Sequence, residues 1–138
     1  MEAPTTRRFP KPNNTFCVPA DSRLAFFKWW CVFLRPFVSL TDREIDVVAS
    51  FLKQREELSK SISDPAILDR MLMSEDTRLK VQEECNITSQ YLYVIISNLR
   101  KHNIIENNTL NPKIIPNVRE TDNGCFKLLI LFKENDKR

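Results

Sequence analysis

The stretch from Ser74 to Pro116 constrains the fold of this chain most, because it predicts two helices, a tight turn and a short β-ribbon in direct succession. Its second helix carries a single apolar stripe at helical spacing, formed by Leu92, Ile95, Ile96 and Leu99. Thr88 stands where an N-cap is expected, and Arg100 and Lys101 lie in the last turn, where the helix dipole favours positive charge. A helix with these features packs one side on a core and exposes the other.

The turn in front of this helix is built around Asn86, a residue that tolerates the left-handed backbone conformation. Asn86 is therefore expected to end the preceding helix sharply, so that the next helix can begin at a steep angle. Ser74 is the expected cap of the preceding helix, and Leu79 and Val81 are expected on its buried side. Two helices joined in this way form a helix-turn-helix.

A β-ribbon is predicted directly after the second helix. Ile104–Ile105 is interpreted as a strand, residues 106–109 as a turn, and Leu110 to Ile115 as the continuation of the ribbon. Alternating apolar residues predict a further strand near the C-terminus, which should pair with one strand of the ribbon; they are Phe126, Leu128, Ile130 and Phe132. The predicted fold class is α+β, mainly α, with a winged helix-turn-helix core and a small antiparallel β-ribbon.

The whole chain is predicted to divide into four parts. They are an extended N-terminal arm (1–20), an aromatic helix (21–38), the winged helix-turn-helix domain (39–133) and a solvated tail (134–138). The first helix of the winged domain has a clear start, because Thr41 and Glu44 match a T-x-x-E capping box.

The N-terminal arm is unusual for its mixture of prolines, basic residues and apolar side chains. Four prolines deny it helical hydrogen bonds, and a disordered tail is one interpretation of this composition. Phe9, Phe16 and Val18, however, are more apolar than a solvated tail needs. An arm that lies on a neighbouring subunit would use these residues as anchors.

The aromatic helix is apolar nearly all round, so it must be buried on more than one side. Burial within one domain and burial against a partner chain are about equally compatible with this pattern. We favour a partner, because 138 residues offer limited interior for so many large rings. The side chains predicted to lie in subunit interfaces are Phe9, Phe16, Val18, Phe26, Trp29, Trp30 and Phe33.

Composition argues against several classes of function. The chain contains one glycine, which excludes glycine-rich phosphate loops, and one histidine, which cannot build a zinc site alone. No nucleophile, base and acid set is apparent, so we expect a non-enzymatic protein without cofactor or metal. The aromatic helix is too short to span a membrane, and the polar, proline-bearing N-terminus does not resemble a signal peptide, so an intracellular setting is expected.

DNA binding is the main alternative to protein assembly. In a helix-turn-helix the second helix enters the major groove, and its first exposed residues touch base edges. The net charge of +3 permits this contact but is mild for a dedicated DNA-binding protein. The candidate DNA-contacting residues are Ser89, Gln90, Tyr93, Ser97, Arg100, Lys101 and Lys113.

The segments LTDREIDVVASFL and RLKVQEECNITSQYLYVIISNLRKHNIIENNTLNPKIIP together resemble proteins of crAss-like tailed phages of gut Bacteroidales, over roughly the last hundred residues. The resemblance implies a phage protein with a winged-helix-like domain, and domains of this kind commonly build head-to-tail connectors. No enzyme activity and no binding residue come with it. The expected function is a connector or ring protein at the portal vertex, which would form homo-oligomers, contact portal or connector proteins, and enter the virion in the host cytoplasm. The alternative is a phage transcriptional regulator.

Overall fold

A computed structural model describes residues 20–116 and two short strands beyond them. Within these residues the chain forms five α-helices, two pairs of antiparallel strands and a 3-10 helix. The helices are α1 (Arg23–Leu34), α2 (Asp42–Ser59), α3 (Pro65–Leu72), α4 (Glu75–Cys85) and α5 (Ser89–Lys101). The strands are β1 (Ile105–Glu106), β2 (Thr109–Leu110), β3 (Arg119–Glu120) and β4 (Phe126–Lys127), with the 3-10 helix Pro112–Ile114 after β2. The coarse prediction of a mainly helical α+β fold is confirmed.

Helix α2 is the centre of the fold, since each of the other four helices packs against it. Its start matches the predicted capping box: the Glu44 backbone N–H donates to the Thr41 hydroxyl, and the Thr41 N–H donates to the Glu44 carboxylate. Val47, Val48 and Phe51 are fully buried along the helix. The core therefore forms around α2, and the other helices have one side on it and one side in solvent.

Asparagines make the sharp turns, as predicted for Asn86. Asn86, between α4 and α5, adopts φ 56°, and Asn103, after α5, adopts φ 62°. Asn107 and Asn108 form the two-residue loop of the β1–β2 hairpin with φ 52° and 60°, the pattern of a type I′ turn. Asparagine suits these positions because its short polar side chain tolerates positive φ better than other non-glycine residues.

The returning strand of the ribbon is shorter than predicted. The prediction of a strand from Leu110 to Ile115 is wrong, because the chain leaves β2 after Leu110 and enters the 3-10 helix. Asn111 caps that helix by accepting a hydrogen bond from the Lys113 N–H at 3.0 Å, and Pro112 supplies the fixed φ of a first helical position. An extended strand would lose both features.

Two other expectations also need correction. Leu79 lies exposed on α4, whereas Val81 is fully buried as predicted, because residues two apart on a helix point to different sides. Strand β4 pairs with β3, a segment in which no strand was predicted, and not with the β1–β2 ribbon. The rest of the predicted C-terminal strand, at Leu128, Ile130 and Phe132, lies outside the described residues. Among the described residues, no helix is long and apolar enough to cross a membrane.

Candidate protein-interaction surfaces

The inner side of α1 is fixed by aromatic packing. Phe26 and Phe27 are buried and meet edge to face, with ring centroids 5.3 Å apart. Trp30 is half-buried, and its indole N–H donates to the Ile114 carbonyl oxygen at 2.7 Å. The prediction that Phe26 lies in a subunit interface is therefore wrong: the core of its own chain covers this ring and leaves it 8% exposed.

Ion pairs set the rotation of α1 about its own axis. Arg23 forms a two-point ion pair with Glu56 of α2. Lys28 lies 3.4 Å from Asp46, nearer the start of the same helix. Because these ion pairs hold the Arg23 and Lys28 side of α1 against α2, the remaining side of α1 faces outward.

This outward side carries an apolar surface, which we name the α1 face and which consists of Trp29, Val32, Phe33 and Phe37. Trp29 and Phe33, two of the predicted interface residues, are each 40% exposed. Phe37 is 77% exposed and stands in the connection between α1 and α2. Among residues 20–116, the α1 face is thus an aromatic surface left exposed on a helix whose other side is buried.

The connection that carries Phe37 is held at both ends. The Arg35 guanidinium pairs with Asp42 and also donates to the Leu40 carbonyl oxygen at 3.1 Å. The Phe37 backbone N–H donates to the Leu34 carbonyl oxygen at 2.8 Å. Phe37 was not among the predicted interface residues, although its position directly after Pro36, which ends the helix, was a usable signal for an exposed ring.

Of the other predicted interface residues, one is half-buried and three lie outside the described residues. Trp30 is mostly occupied inside the molecule by its hydrogen bond to Ile114, so only part of its ring is available to a partner. Phe9, Phe16 and Val18 lie outside the described residues.

A second apolar surface lies on α5. We name it the α5 face; it consists of Tyr91 and Val94, both exposed, whereas the exposed Tyr93 lies two positions from Tyr91 and points to a different side of the helix. Tyr91 and Val94 also line an open groove of about 410 Å³ between α5 and the start of α2, with Thr41 and Glu44 on its opposite wall. Tyr91 was not singled out from the sequence, because its spacing from the buried stripe places it at the boundary between inside and outside.

The predicted DNA-contacting residues all lie on the surface. Ser89, Gln90 and Tyr93 are exposed near the start of α5, and Ser97, Arg100 and Lys101 are exposed further along. Lys113 is exposed on the 3-10 helix. Helix α5 contains no acidic residue, and the ion pairs found within residues 20–116 include neither Arg100 nor Lys101. The structure therefore exposes all of these candidate residues, and Tyr93 and Val94 are exposed apolar side chains on the same helix.

A polar cluster joins α2 and α4. Glu84 accepts hydrogen bonds from the Ser50 hydroxyl at 2.7 Å and the Lys53 ammonium at 2.5 Å. Burial by itself would raise the pKa of Glu84, but the hydrogen bonds from Lys53 and Ser50, with the positive charges of Lys53 and Lys28, lower it overall. This cluster holds α4 against α2, so a structural role accounts for its charges and for the lowered pKa of Glu84.

The two cysteines among the described residues are free thiols in apolar surroundings. Burial raises the pKa of Cys31 to about 12. Burial and the nearby Asp46 and Glu84 carboxylates raise the pKa of Cys85 to about 11. Thiols of this kind stay protonated at neutral pH and are poor nucleophiles.

In the described part of the chain, His, Cys, Asp and Glu side chains do not gather into a group of three or more that could hold a metal ion. Comparison of the chain with protein-family models, with curated proteins and with solved structures gave no match.

Proposed function

We propose that the protein is a non-enzymatic structural subunit of a tailed-phage particle, a connector or ring protein at the portal vertex. The single observation that carries the proposal is the α1 face, in which two large rings are 40% exposed and a third is 77% exposed on a well-anchored helix. The resemblance to crAss-like phage proteins supports the setting in a virion.

The size of the α1 face is what makes burial by a partner favourable. Its exposed fractions correspond to roughly 400 Å² of surface, at about 200 Å² for a large side chain. Covering that area contributes on the order of 10 kcal/mol before the costs of association, which are of similar size. The α1 face is therefore a suitable site for a second apolar surface, which an assembly would supply.

The arrangement of α4, α5 and the β1–β2 hairpin supports the finer proposal that this part of the chain is a winged helix-turn-helix. Helix α4 ends at the left-handed Asn86, α5 begins three residues later under its Thr88 cap, and the hairpin follows α5 directly. In an assembly subunit this domain serves as a rigid support that presents its helices to neighbours. The arm residues Phe9, Phe16 and Val18 would add contacts to a neighbouring subunit.

Size measurement on purified protein tests the assembly proposal. We expect the wild type to form oligomers at micromolar concentration in analytical ultracentrifugation, and the Phe33→Glu variant to associate at least tenfold more weakly, because it places a charge in the proposed contact. Ile67→Glu is the matched control, since Ile67 is 43% exposed on α3, similar to Phe33, but lies outside the α1 face. A monomeric wild type that also fails to bind portal or connector proteins would overturn the proposal.

DNA binding is the second candidate, and one observation favours it. The exposed side of α5 combines Gln90, Ser97 and Lys101 with no acid on the helix, which suits an acidic ligand. The tyrosines and Val94 on the same helix give it a more apolar surface than groove binding requires. This candidate would make the protein a phage transcriptional regulator.

A salt titration of binding to duplex DNA separates the two candidates. A regulator should show a steep fall in affinity with rising salt, and Lys101→Ala should reduce the slope by about one phosphate contact. Lys60→Ala is the control, because Lys60 is also exposed but lies at the end of α2, paired with Glu57. Binding too weak to measure at physiological salt would remove the regulator from consideration.

A further inference from the structure

The α1 face is a row of rings that continues past the end of its helix. Trp29, Phe33 and Phe37 are spaced four residues apart. The Val38 backbone N–H donates to the Leu34 carbonyl oxygen at 2.9 Å, so helical geometry extends as far as Phe37. Side chains spaced in this way form the ridge that packs in the commonest class of helix–helix contact. The α1 face is therefore suited to pack against another helix.

The α1 face offers a partner almost no polar group. Apart from the indole N–H of Trp29, its side chains carry no hydrogen-bonding atom. The cations within and directly after α1 are engaged by acids of α2, in the pairs Arg23–Glu56, Lys28–Asp46 and Arg35–Asp42. A polar partner would lose hydration on this face without gaining hydrogen bonds. The surface that suits the α1 face is itself apolar and free of charge.

The groove beside α5 does not meet this requirement. Tyr91 and Val94 give it an apolar wall, but its other lining residues include Asp42, Arg43 and Glu44. A ring of the α1 face placed there would remove water from charged side chains. Among residues 20–116, the α1 face has the largest exposed aromatic area, so its best match is the same face of a second copy.

The spacing of the rings also makes the α1 face complementary to itself. Phe33 lies at the middle of the row, with Trp29 four residues before it and Phe37 four residues after it. In a two-fold contact, residue i of one copy meets j of the other while j meets i. Two copies of α1 that cross at Phe33 therefore place Phe33 on Phe33, whichever way the helices run. Trp29 and Phe37 of each copy then lie against rings of the other, so one contact covers the whole row on both copies.

The area of two α1 faces is sufficient for a specific dimer. The exposed parts of each face correspond to roughly 400 Å², at about 200 Å² for a large side chain. Two faces therefore supply roughly 800 Å² of apolar surface. Because about two-thirds of a homodimer interface is apolar, the whole contact would bury roughly 1,200 Å², the lower end of specific protein interfaces.

We propose that two copies of this chain associate through their α1 faces, about a two-fold axis that passes close to Phe33. The inference rests on the proposed assembly function and names the partner of the α1 face as a second copy of the chain. The pairs Lys28–Asp46 and Arg35–Asp42 would form part of the polar rim, since their side chains are partly exposed. A two-fold contact closes after two copies, so the dimer is the unit that other surfaces would join into a larger assembly.

Opposite charges at position 33 test the two-fold contact, because in this contact the position meets itself. We expect the Phe33→Glu protein and the Phe33→Lys protein each to sediment as a monomer at micromolar concentration, since two like charges would meet. An equimolar mixture should dimerise at least tenfold more tightly than either protein alone, because a glutamate then meets a lysine. Ile67→Glu and Ile67→Lys are the matched controls, and each should associate as the wild type does, since Ile67 is similarly exposed but lies outside the α1 face.

Crosslinking gives an independent measurement where circular dichroism shows that a charged variant does not fold. The Phe33→Cys variant, with Cys17→Ser and Cys125→Ser to remove other thiols, should form a covalent dimer with a short bis-maleimide reagent. Ile67→Cys in the same background should not. The two buried thiols of the described residues stay protonated at neutral pH, so they react slowly with the reagent.

Other outcomes overturn the two-fold contact. A mixture of the charged variants that stays monomeric while the wild type associates would mean that an unlike surface covers the α1 face, and the proposed assembly function would stand. Charged variants that associate as tightly as the wild type would exclude the α1 face from the contact. A monomeric wild type that binds portal or connector proteins also overturns the dimer but keeps the assembly function, whereas a monomeric wild type that binds neither overturns both.

Discussion

At the scale of single residues, Glu84 illustrates how one side chain fixes two helices. It lies on α4 and accepts hydrogen bonds from Ser50 and Lys53 of α2. Its side chain is 20% exposed, so these bonds are only partly screened by solvent. Charge-assisted hydrogen bonds in such a setting stabilise a fold more than exposed ion pairs do.

We predict that Glu84→Gln lowers the free energy of unfolding by about 1 kcal/mol at pH 7, because the amide cannot replace the carboxylate as partner of Lys53. The pKa of Glu84 is lowered in the folded protein, so its carboxylate stabilises the fold above its ordinary value of 4.5, and this contribution is lost as the pH falls through the folded value. The difference between wild type and variant should therefore vanish in acid. Urea unfolding at pH 7 and in steps below pH 4.5 measures it.

Glu83→Gln is the matched control for this prediction. Glu83 is the adjacent carboxylate on α4, but it is exposed and takes no part in the ion pairs found within residues 20–116. Equal effects of the two substitutions at pH 7 would show that the Ser50–Lys53–Glu84 cluster does not stabilise the fold.

Residues whose role depends on their immediate neighbours in sequence could be predicted, and those whose role depends on distant contacts could not. Thr41, Thr88 and Asn86 were placed correctly because capping and left-handed turns are settled within a few residues. Phe26 was misplaced because its burial depends on how α1 rotates over α2, which sequence spacing does not fix. The sequence around Phe26 contains no signal that would set its burial apart from that of Phe33.

At the scale of elements, the junction of α4 and α5 depends on the left-handed Asn86. Its backbone N–H donates to the Glu83 carbonyl oxygen at 3.2 Å, and the Ile87 N–H donates to that of Gln82 at 3.1 Å, so two of the last carbonyls of α4 are satisfied. This turn sets the angle at which α5 leaves α4.

We predict that Asn86→Ala lowers the free energy of unfolding by about 1 kcal/mol, because the left-handed conformation costs alanine more energy than it costs asparagine. Asn86→Gly should be as stable as the wild type or more stable, because glycine adopts this conformation without steric cost. Denaturant unfolding of the three proteins checks the order. An alanine variant as stable as the glycine variant would mean that the junction does not require positive φ.

Elements with a regular period were predicted well, and elements defined by pairing were not. The cap and the buried stripe of helix α5 were predicted because both signals lie within this helix or directly before it. The outward side of α1 was not defined by period, since apolar residues occur on both sides, and the ion pairs of Arg23 and Lys28 select it. The pairing of β4 with β3 was missed because the two residues of each strand carry too little pattern to identify a partner.

At the scale of the whole molecule, the proposed assembly predicts a stability that depends on protein concentration. Association that covers the α1 face would stabilise only the folded state, so it would add to the free energy of unfolding by mass action. Each tenfold rise in protein concentration adds up to about 1.4 kcal/mol to the free energy of unfolding when unfolding requires the assembly to dissociate. For a chain of 138 residues this corresponds to a rise of a few degrees in Tm.

We predict that the Tm of the wild type rises between about 1 and 100 μM protein, by a few degrees for each tenfold step, and that the variant with Phe33→Glu and Phe37→Glu shows a flat Tm over the same range. Ile67→Glu should retain the wild-type slope, because Ile67 is similarly exposed but belongs to neither face. Scanning fluorimetry at several concentrations measures all three proteins. A flat wild-type curve would mean that neither face is covered by another copy, and equal slopes for the wild type and the double variant would mean that association uses some other surface.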